Sequence, residues 1–136
     1  METKFNFNSA ICTDRLQSER LLALGLKKET ADCCYYYYDG EYLIAFAEDA
    51  KYPSDIPAWS LHRLIEMMPN NIRVYDGYAS LIVSNTKVQY YFHDVEYSDY
   101  LSSAGKWEDG NIYHNIISCI EWLIKEGYFP KEYLEE

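Results

Sequence analysis

Basic residues are scarce in this sequence: 12 Lys and Arg stand against 22 Asp and Glu, and the net charge is −10. Proteins that bind nucleic-acid phosphates, or that dock on anionic lipid, need a basic surface. We therefore expect neither direct nucleic-acid binding nor a membrane partner. The acidic charge is typical of a soluble protein. The alternative, an acidic decoy for a nucleic-acid-binding groove, needs carboxylates spaced like phosphates, whereas the densest run here is Glu132, Glu135 and Glu136.

Long apolar runs and paired cysteines are also missing. No run approaches the length of a membrane span, and residues 1–10 lack the apolar segment of a signal peptide. The cysteines are Cys12, Cys33, Cys34 and Cys119. They include no C-x-x-C pair, and the adjacent Cys33 and Cys34 cannot easily bond to each other. Free thiols without an export signal predict a reducing, cytoplasmic location.

Known catalytic and phosphate-binding motifs are absent. The sequence has no G-x-G-x-x-G, no G-x-x-x-x-G-K-[ST], no H-E-x-x-H and no G-x-S-x-G. The histidines His62, His93 and His114 share no metal-ligand spacing. His93 with Asp94 could hold a cation or orient a base, but a solvent-exposed strand end is the simpler interpretation. We predict no cofactor, no metal and no catalytic residue, while a Cys–His pair brought together by the fold stays open.

Tyrosine is what the sequence has in excess: 15 residues, in a chain that is 17% aromatic. The run 35–38 alternates faces in a strand, so its four rings cannot all enter one core. Tyrosine and tryptophan are enriched at protein interfaces, and tyrosine also stacks on bases. A tyrosine-rich core and sheet surface without a ligand is the alternative. The candidate binding residues are Tyr36, Tyr38, Trp59, Tyr91, His93 and Trp107.

Helices and their ends are marked clearly. Apolar spacing predicts helices over 13–24, 60–68 and 111–126. Asp14 with Gln17 fits a capping box at the start of the first helix. Gly25, Pro69 and Gly127 predict the three helix ends, because glycine favours the left-handed conformation there and proline cannot continue a helix.

Strands are predicted on both sides of Asp39-Gly40, the strongest short hairpin signal in the chain. Both faces of the second strand, 41–47, are apolar, so we expect it to be central or covered. Further strands are predicted over 72–76, 79–84 and 87–93, and through Phe5 and Phe7 in an N-terminal arm, 1–12. Residues 94–108 are expected to be irregular.

The predicted fold is α+β in a single domain, 1–136, a usual length for one. It has an antiparallel sheet of about four strands, with the three main helices packed mostly on one face. The predicted core contains Leu16, Leu24, Ile44, Phe46, Leu61, Leu64, Ile65, Val83, Phe92, Ile116, Ile120 and Leu123.

Two sequence blocks carry a resemblance. One is 57–69, PAWSLHRLIEMMP, and the other is 119–128, CIEWLIKEGY; each is a helix with its stop. Together with 17–26, they resemble a group of small proteins of Bacteroides-type gut bacteria and their phages. The resemblance covers most of the chain and implies a phage or mobile-element setting. It assigns no activity and no site residue.

Three functions are compatible with these observations. The first is a non-enzymatic protein-interaction module, an accessory protein of a phage or mobile element that acts on a host protein. The second is a binder of a small, nucleotide-like molecule, or an enzyme for one, with a tyrosine-lined pocket. The third is a structural module that associates with itself. The tyrosine content, the acidic charge and the missing motifs favour the first.

Overall fold

The computed structural model of the chain describes residues 9–49, 55–74, 77–92 and 103–136. The helices in this part are α1 (Arg15–Ala23), α2 (Leu61–Met67) and α3 (Ile112–Glu126). The strands are β1 (Cys33–Tyr38), β2 (Glu41–Phe46), β3 (Ile56–Ala58), β4 (Asn71–Val74), β5 (Gly77–Val83), β6 (Val88–Phe92) and β7 (Ser103–Trp107). Short 3-10 turns occur at Lys28–Thr30, Ala47–Asp49 and Lys131–Tyr133. The α+β class is therefore confirmed.

The first helix begins and ends as its sequence predicts. Asp14 accepts a hydrogen bond from the Gln17 backbone N–H at 2.7 Å, and the Gln17 side chain accepts one from the Asp14 N–H at 2.9 Å. Gly25 has a φ of +101°, and the Leu26 N–H donates back to the Leu21 carbonyl at 3.2 Å. This is the left-handed stop that a glycine at the helix end allows.

The other two helices also end at their marked residues. The Ser60 side chain caps α2, and Pro69 follows one residue after its C-terminal cap. Asn111 caps α3 by accepting from the His114 N–H at 2.8 Å. Gly127, with a φ of +82°, ends α3. Local sequence is enough to set these boundaries, because caps and stops satisfy backbone groups only a few residues away.

The strands form two antiparallel sheets, with the orders β2-β1-β3 and β4-β5-β6-β7. In the first, Asp39 and Gly40 both have positive φ values, 51° and 86°, which produces the predicted tight hairpin. The second contains four strands, of which β4, β5 and β6 fall in segments predicted to be strands. Two strands fall where none was predicted: β3, in the segment expected to be loop and helix start, and β7, within the segment expected to be irregular. The β7 sequence SAGKW has little strand preference of its own, and its pairing with β6 holds it extended.

The core lies between α3 and the inner face of the four-stranded sheet, and it extends to α1 and α2. Of the predicted core, Leu64, Phe92, Ile116, Ile120 and Leu123 are buried, and Leu24, Leu61, Ile65 and Val83 pack partly buried against it. The core also contains side chains that the prediction lacked, among them Leu21, Trp59, Tyr90 and Ile117.

Three predicted core residues are wrong: Leu16 is 77% exposed, Ile44 is 44% exposed and Phe46 is 68% exposed. Leu16 lies on the outer side of α1, which buries Ser18 and Leu21 instead. Ile44 and Phe46 lie on β2, which is an edge strand rather than a central one in the described sheet. Alternating apolar residues look alike in covered and open strands, so the pattern alone could not distinguish them.

Part of the prediction lies outside the described residues. The N-terminal arm through Phe5 and Phe7 is one such segment, and His93 with the segment 94–102 is another; the last two residues of the strand predicted over 72–76 also lie outside the described residues. Within the described part of the chain, no helix is both long and apolar enough to cross a membrane.

Candidate functional site

The six candidate binding residues do not form one site. Trp59 is fully buried directly after β3. Its indole N–H donates to the Thr30 hydroxyl at 2.9 Å, and its backbone N–H donates to the Thr13 hydroxyl at 3.1 Å. These bonds satisfy the polar atoms of a core residue and join three separate segments. Trp59 therefore supports the fold and presents no surface to a ligand.

Tyr91 and Trp107 belong to the four-stranded sheet, on opposite faces. Trp107 lies on the inner face, where its ring is 5.3 Å from that of Trp122 on α3. Tyr91 alternates with the buried Tyr90 and Phe92, so it lies on the outer face. Neither residue belongs to the sheet that carries Tyr36 and Tyr38, and His93 lies outside the described residues.

Tyr36 and Tyr38 line one concave surface, which we call the tyrosine cleft. It has a volume of about 600 Å³. Besides these two rings, its walls include Cys34 and Ala45 from β1 and β2, together with Asp49 and Asp55. Tyr37 also borders the cleft, because it lies between these two tyrosines in β1. Its ring turns to the opposite face, where it meets the ring of Tyr42.

Two chain segments bring the carboxylates to the cleft. Asp49 ends the 3-10 turn that follows β2, and Asp55 directly precedes β3. Because β2 and β3 flank β1 on its two sides, the acids approach the β1 tyrosines from both edges of the sheet. The turn is held by a hydrogen bond from the Ala47 N–H to the Asp32 carbonyl at 3.0 Å.

The cleft is electrostatically negative at its Cys34 wall. Burial raises the pKa of the Cys34 thiol, and the negative charges of Asp55 and Asp49 raise it further. The thiol donates to the Phe46 carbonyl at 3.7 Å. Cys34 is therefore held as a neutral thiol, which is a poor nucleophile. The same field would favour a cation placed in the cleft.

The other cysteines are held in the same protonated state. Burial is the main cause that raises the pKa of Cys12 and Cys119, and it raises the pKa of Cys33 to about 12. His62 is largely exposed, 3.8 Å from Glu66 on its own helix. No group of three His, Cys, Asp or Glu able to hold a metal occurs among the described residues.

The opposite face of the β1–β2 hairpin exposes large apolar side chains. We call it the hairpin face, and it consists of Tyr37, Tyr42, Ile44 and Phe46. Tyr37 and Phe46 are 64% and 68% exposed, and Tyr42 is 41% exposed. The rings of Tyr37 and Tyr42 meet edge to face with centroids 5.2 Å apart, and the Arg15 guanidinium lies 4.2 Å from the Tyr42 ring centre.

The hairpin face continues toward the chain that precedes α1. Tyr35 and Ile44 border a hollow of about 330 Å³ together with the exposed Ile11. Tyr35 is held in place because its hydroxyl donates to the Thr13 carbonyl at 2.8 Å, and the Cys12 thiol donates to the same hydroxyl at 3.6 Å. These bonds join the Tyr35 side chain to the chain that precedes α1.

The segments that hold the two sheets carry formal charges of opposite sign. The segments 33–49 and 55–58, which hold the three-stranded sheet, contain five acids and no Lys or Arg. The segments 71–74, 77–92 and 103–107, which hold the described strands of the other sheet, contain Arg73, Lys87 and Lys106 and no acid. Sequence reasoning missed this contrast, although the absence of any basic residue between Cys33 and Asp49 is a signal that could have found it.

No protein-family model, curated protein or solved structure matches the chain. What it can bind has to be inferred from its own side chains.

Proposed function

We propose that this protein is an interaction module that binds another protein through the hairpin face. The observation that supports it is the exposure of Tyr37, Tyr42, Ile44 and Phe46 on one face of the β1–β2 hairpin, in which β2 is an edge strand of the described sheet. Side chains of this kind form the energetic centres of protein interfaces, where aromatic rings are enriched. An exposed edge strand also offers backbone N–H and C=O groups to an added strand.

The hairpin face is large enough to contribute real binding energy. At the observed exposures, the four side chains leave roughly 400 Å² of surface open, in the range of the largest, often functional, patch on a monomer. Burying that area would contribute roughly 10 kcal/mol before the entropic costs of association are subtracted.

The partner we propose is basic around an apolar centre. The acids of the three-stranded sheet region are Asp39, Glu41, Glu48, Asp49 and Asp55. A partner with Lys or Arg at the rim would gain charge complementarity, which mainly raises the association rate and the specificity. A second copy of this chain would bring the same acids and the same net charge of −10, so self-association is disfavoured. In the phage or mobile-element setting that the sequence blocks imply, the partner would be a host protein.

A capture experiment with matched variants tests the proposal. Tagged wild-type protein, Phe46→Ser and Tyr78→Ser are each exposed to a host lysate, and the retained proteins are quantified by mass spectrometry. Tyr78 is a suitable control because it is an exposed aromatic residue on the other sheet. We expect a basic protein that wild type and Tyr78→Ser retain, that Phe46→Ser loses, and whose retention falls as salt rises.

Two outcomes would contradict this proposal. Equal retention of every captured protein by Phe46→Ser and wild type would remove the hairpin face as the contact surface. A wild-type dimer in light scattering that Phe46→Ser converts to monomer would instead support the self-associating module.

A second candidate function, the binding of a small ligand, is favoured by a different observation. The tyrosine cleft is concave, whereas the hairpin face is open, and it combines two aromatic rings with two carboxylates. Ligand sites of this kind pair apolar walls with a few polar groups that fix orientation.

A further inference from the structure

We propose that the tyrosine cleft binds an organic cation, specifically an alkylammonium group. The cleft of about 600 Å³ is lined by the side chains of Tyr36 and Tyr38 together with Asp49 and Asp55, and none of its described lining residues is basic. This proposal names the ligand class for the second candidate function. It does not depend on the hairpin face, because that face lies on the other side of the same two strands.

Aromatic rings with nearby carboxylates suit a large, weakly hydrated cation. The face of a tyrosine ring is electron-rich and attracts ammonium groups, and rings arranged around a cavity are the usual way in which proteins bind quaternary and methylated ammonium. Asp49 and Asp55 add formal negative charge at two sides of the same cavity. The negative charges of both carboxylates reach the same wall of the cleft, since each raises the pKa of the Cys34 thiol there.

Other ligand classes fit less well. A phosphate-bearing ligand, such as a nucleotide, would place its negative charge beside two carboxylates. A hard metal ion such as Ca²⁺ needs six to eight oxygen ligands, and the described residues contain no group of three candidate ligands. A neutral apolar ligand would fill the space but would gain no electrostatic attraction from Asp49 and Asp55.

The ammonium group could come from a lysine side chain of a protein, free or methylated, or from a small amine. Both sources present the same chemistry to the rings and carboxylates. They differ in what lies beyond the ammonium group, because a protein lysine brings a chain that can contact the surrounding sheet surface.

Titration with choline, followed by NMR of the tyrosine ring signals, tests the proposal. The neutral comparison is 3,3-dimethyl-1-butanol, which has the same shape without the charge. We expect choline to shift the ring signals of Tyr36 and Tyr38 in a saturable manner, and the neutral alcohol to shift them much less. Equal shifts with both compounds, or no shift with choline at tens of millimolar, would overturn the proposal.

Variants on the two faces of the hairpin assign the site. We expect Tyr36→Leu to weaken choline binding by about fivefold or more, the loss anticipated for one ring of such a site. Tyr42→Leu is the matched control on the opposite face and should bind choline as wild type does. Asp49→Asn, at an exposed position, should weaken binding at least about threefold. Unchanged binding by Asp49→Asn and Tyr36→Leu would overturn the site assignment.

A peptide that contains trimethyl-lysine distinguishes the two sources. If it binds about tenfold or more tightly than choline, the ammonium group comes from a protein; equal affinities indicate a small amine, and both results support a cation site. Failure here is separable from failure of the interaction module. Tyr36→Leu should still retain the captured partner, whereas Phe46→Ser should still bind choline.

Discussion

The two sheets of this protein use similar sequences in different ways. The four-stranded sheet turns Val88, Tyr90 and Phe92 inward, where α3 covers them. The β1–β2 part of the three-stranded sheet exposes Ile44 and Phe46 from an equally apolar strand. One sheet therefore packs its inner face into the buried core, and the other supplies the surfaces to which we assign binding.

The two sheets also differ in the sign of their formal charges. The described strands of the four-stranded sheet carry only basic formal charges, and the three-stranded sheet region carries only acidic ones. Charges on a covered core sheet have little to do with its packing, since they lie on its outer face or in its turns. Acids around an open, aromatic hairpin instead restrict which partners can approach. The tyrosines of this chain therefore have two different roles: Tyr90 is buried and stabilises the fold, while Tyr37 and Tyr38 are exposed and available for contact.

The largest difference should appear when the same Ile→Ala change is made on α3, which covers the four-stranded sheet, and on the three-stranded sheet. Ile120→Ala removes a fully buried side chain that packs in the core, and we expect it to lower the free energy of unfolding by about 2–5 kcal/mol. Ile44→Ala should lower it by about 1 kcal/mol or less, because that side chain is already in contact with water. Urea unfolding measures both, and equal losses would mean that the hairpin face is packed in solution.

A smaller difference is expected for tyrosine hydroxyls. The Tyr90 hydroxyl donates to the Pro69 carbonyl at 2.8 Å from a buried ring, so Tyr90→Phe should cost about 1 kcal/mol of stability. Tyr42→Phe changes an exposed ring and should stay within about 0.5 kcal/mol of wild type. Thermal unfolding of the two variants compares them directly. An effect of Tyr42→Phe as large as that of Tyr90→Phe would show that the division into core and contact tyrosines is wrong.

The smallest effect is expected at mildly alkaline pH. Burial, and secondarily the charge of Asp32, raises the pKa of Cys33 from 9.0 to about 12 in the folded protein. The unfolded chain therefore loses this proton first, so the stability contributed by the neutral thiol is complete below about pH 9 and is lost as the pH rises toward 12. We expect a small fall in the free energy of unfolding between pH 8 and pH 9.5.

Cys33→Ala is the control for this pH dependence, because it removes the titrating group. It should show a shallower fall over the same range than wild type does. An identical slope would mean that Cys33 contributes nothing to the alkaline loss, which would then come from the other buried thiols and tyrosines.

The helices were predictable because their signals are local. The Asp14 capping box, the left-handed Gly25 and Gly127, and the stop at Pro69 each involve residues within one or two turns. The hairpin turn at Asp39-Gly40 is local for the same reason. Strand β7 escaped prediction because its extended state depends on β6, a partner that lies far away in sequence.

The candidate site was only partly predictable. Alternation along β1 placed Tyr36 and Tyr38 on one face, and that part is local geometry. Asp49 and Asp55 joined them only through the pairing of β2 and β3 with β1, which no spacing rule specifies. Trp59 was predicted as a binding residue, but its hydrogen bonds to the hydroxyls of Thr13 and Thr30 make it a satisfied core residue.

The sequence by itself determined the helix limits, the hairpin turn, the acidic charge and the alternation of faces within each strand, because each depends on neighbouring residues or on composition. Only the tertiary structure decided which apolar strand is covered. The residues of β2 satisfy the pattern of a central strand, yet exposure depends on which elements pack against a face, and α3 packs on the other sheet. The exposed hairpin face and the tyrosine cleft both follow from that choice.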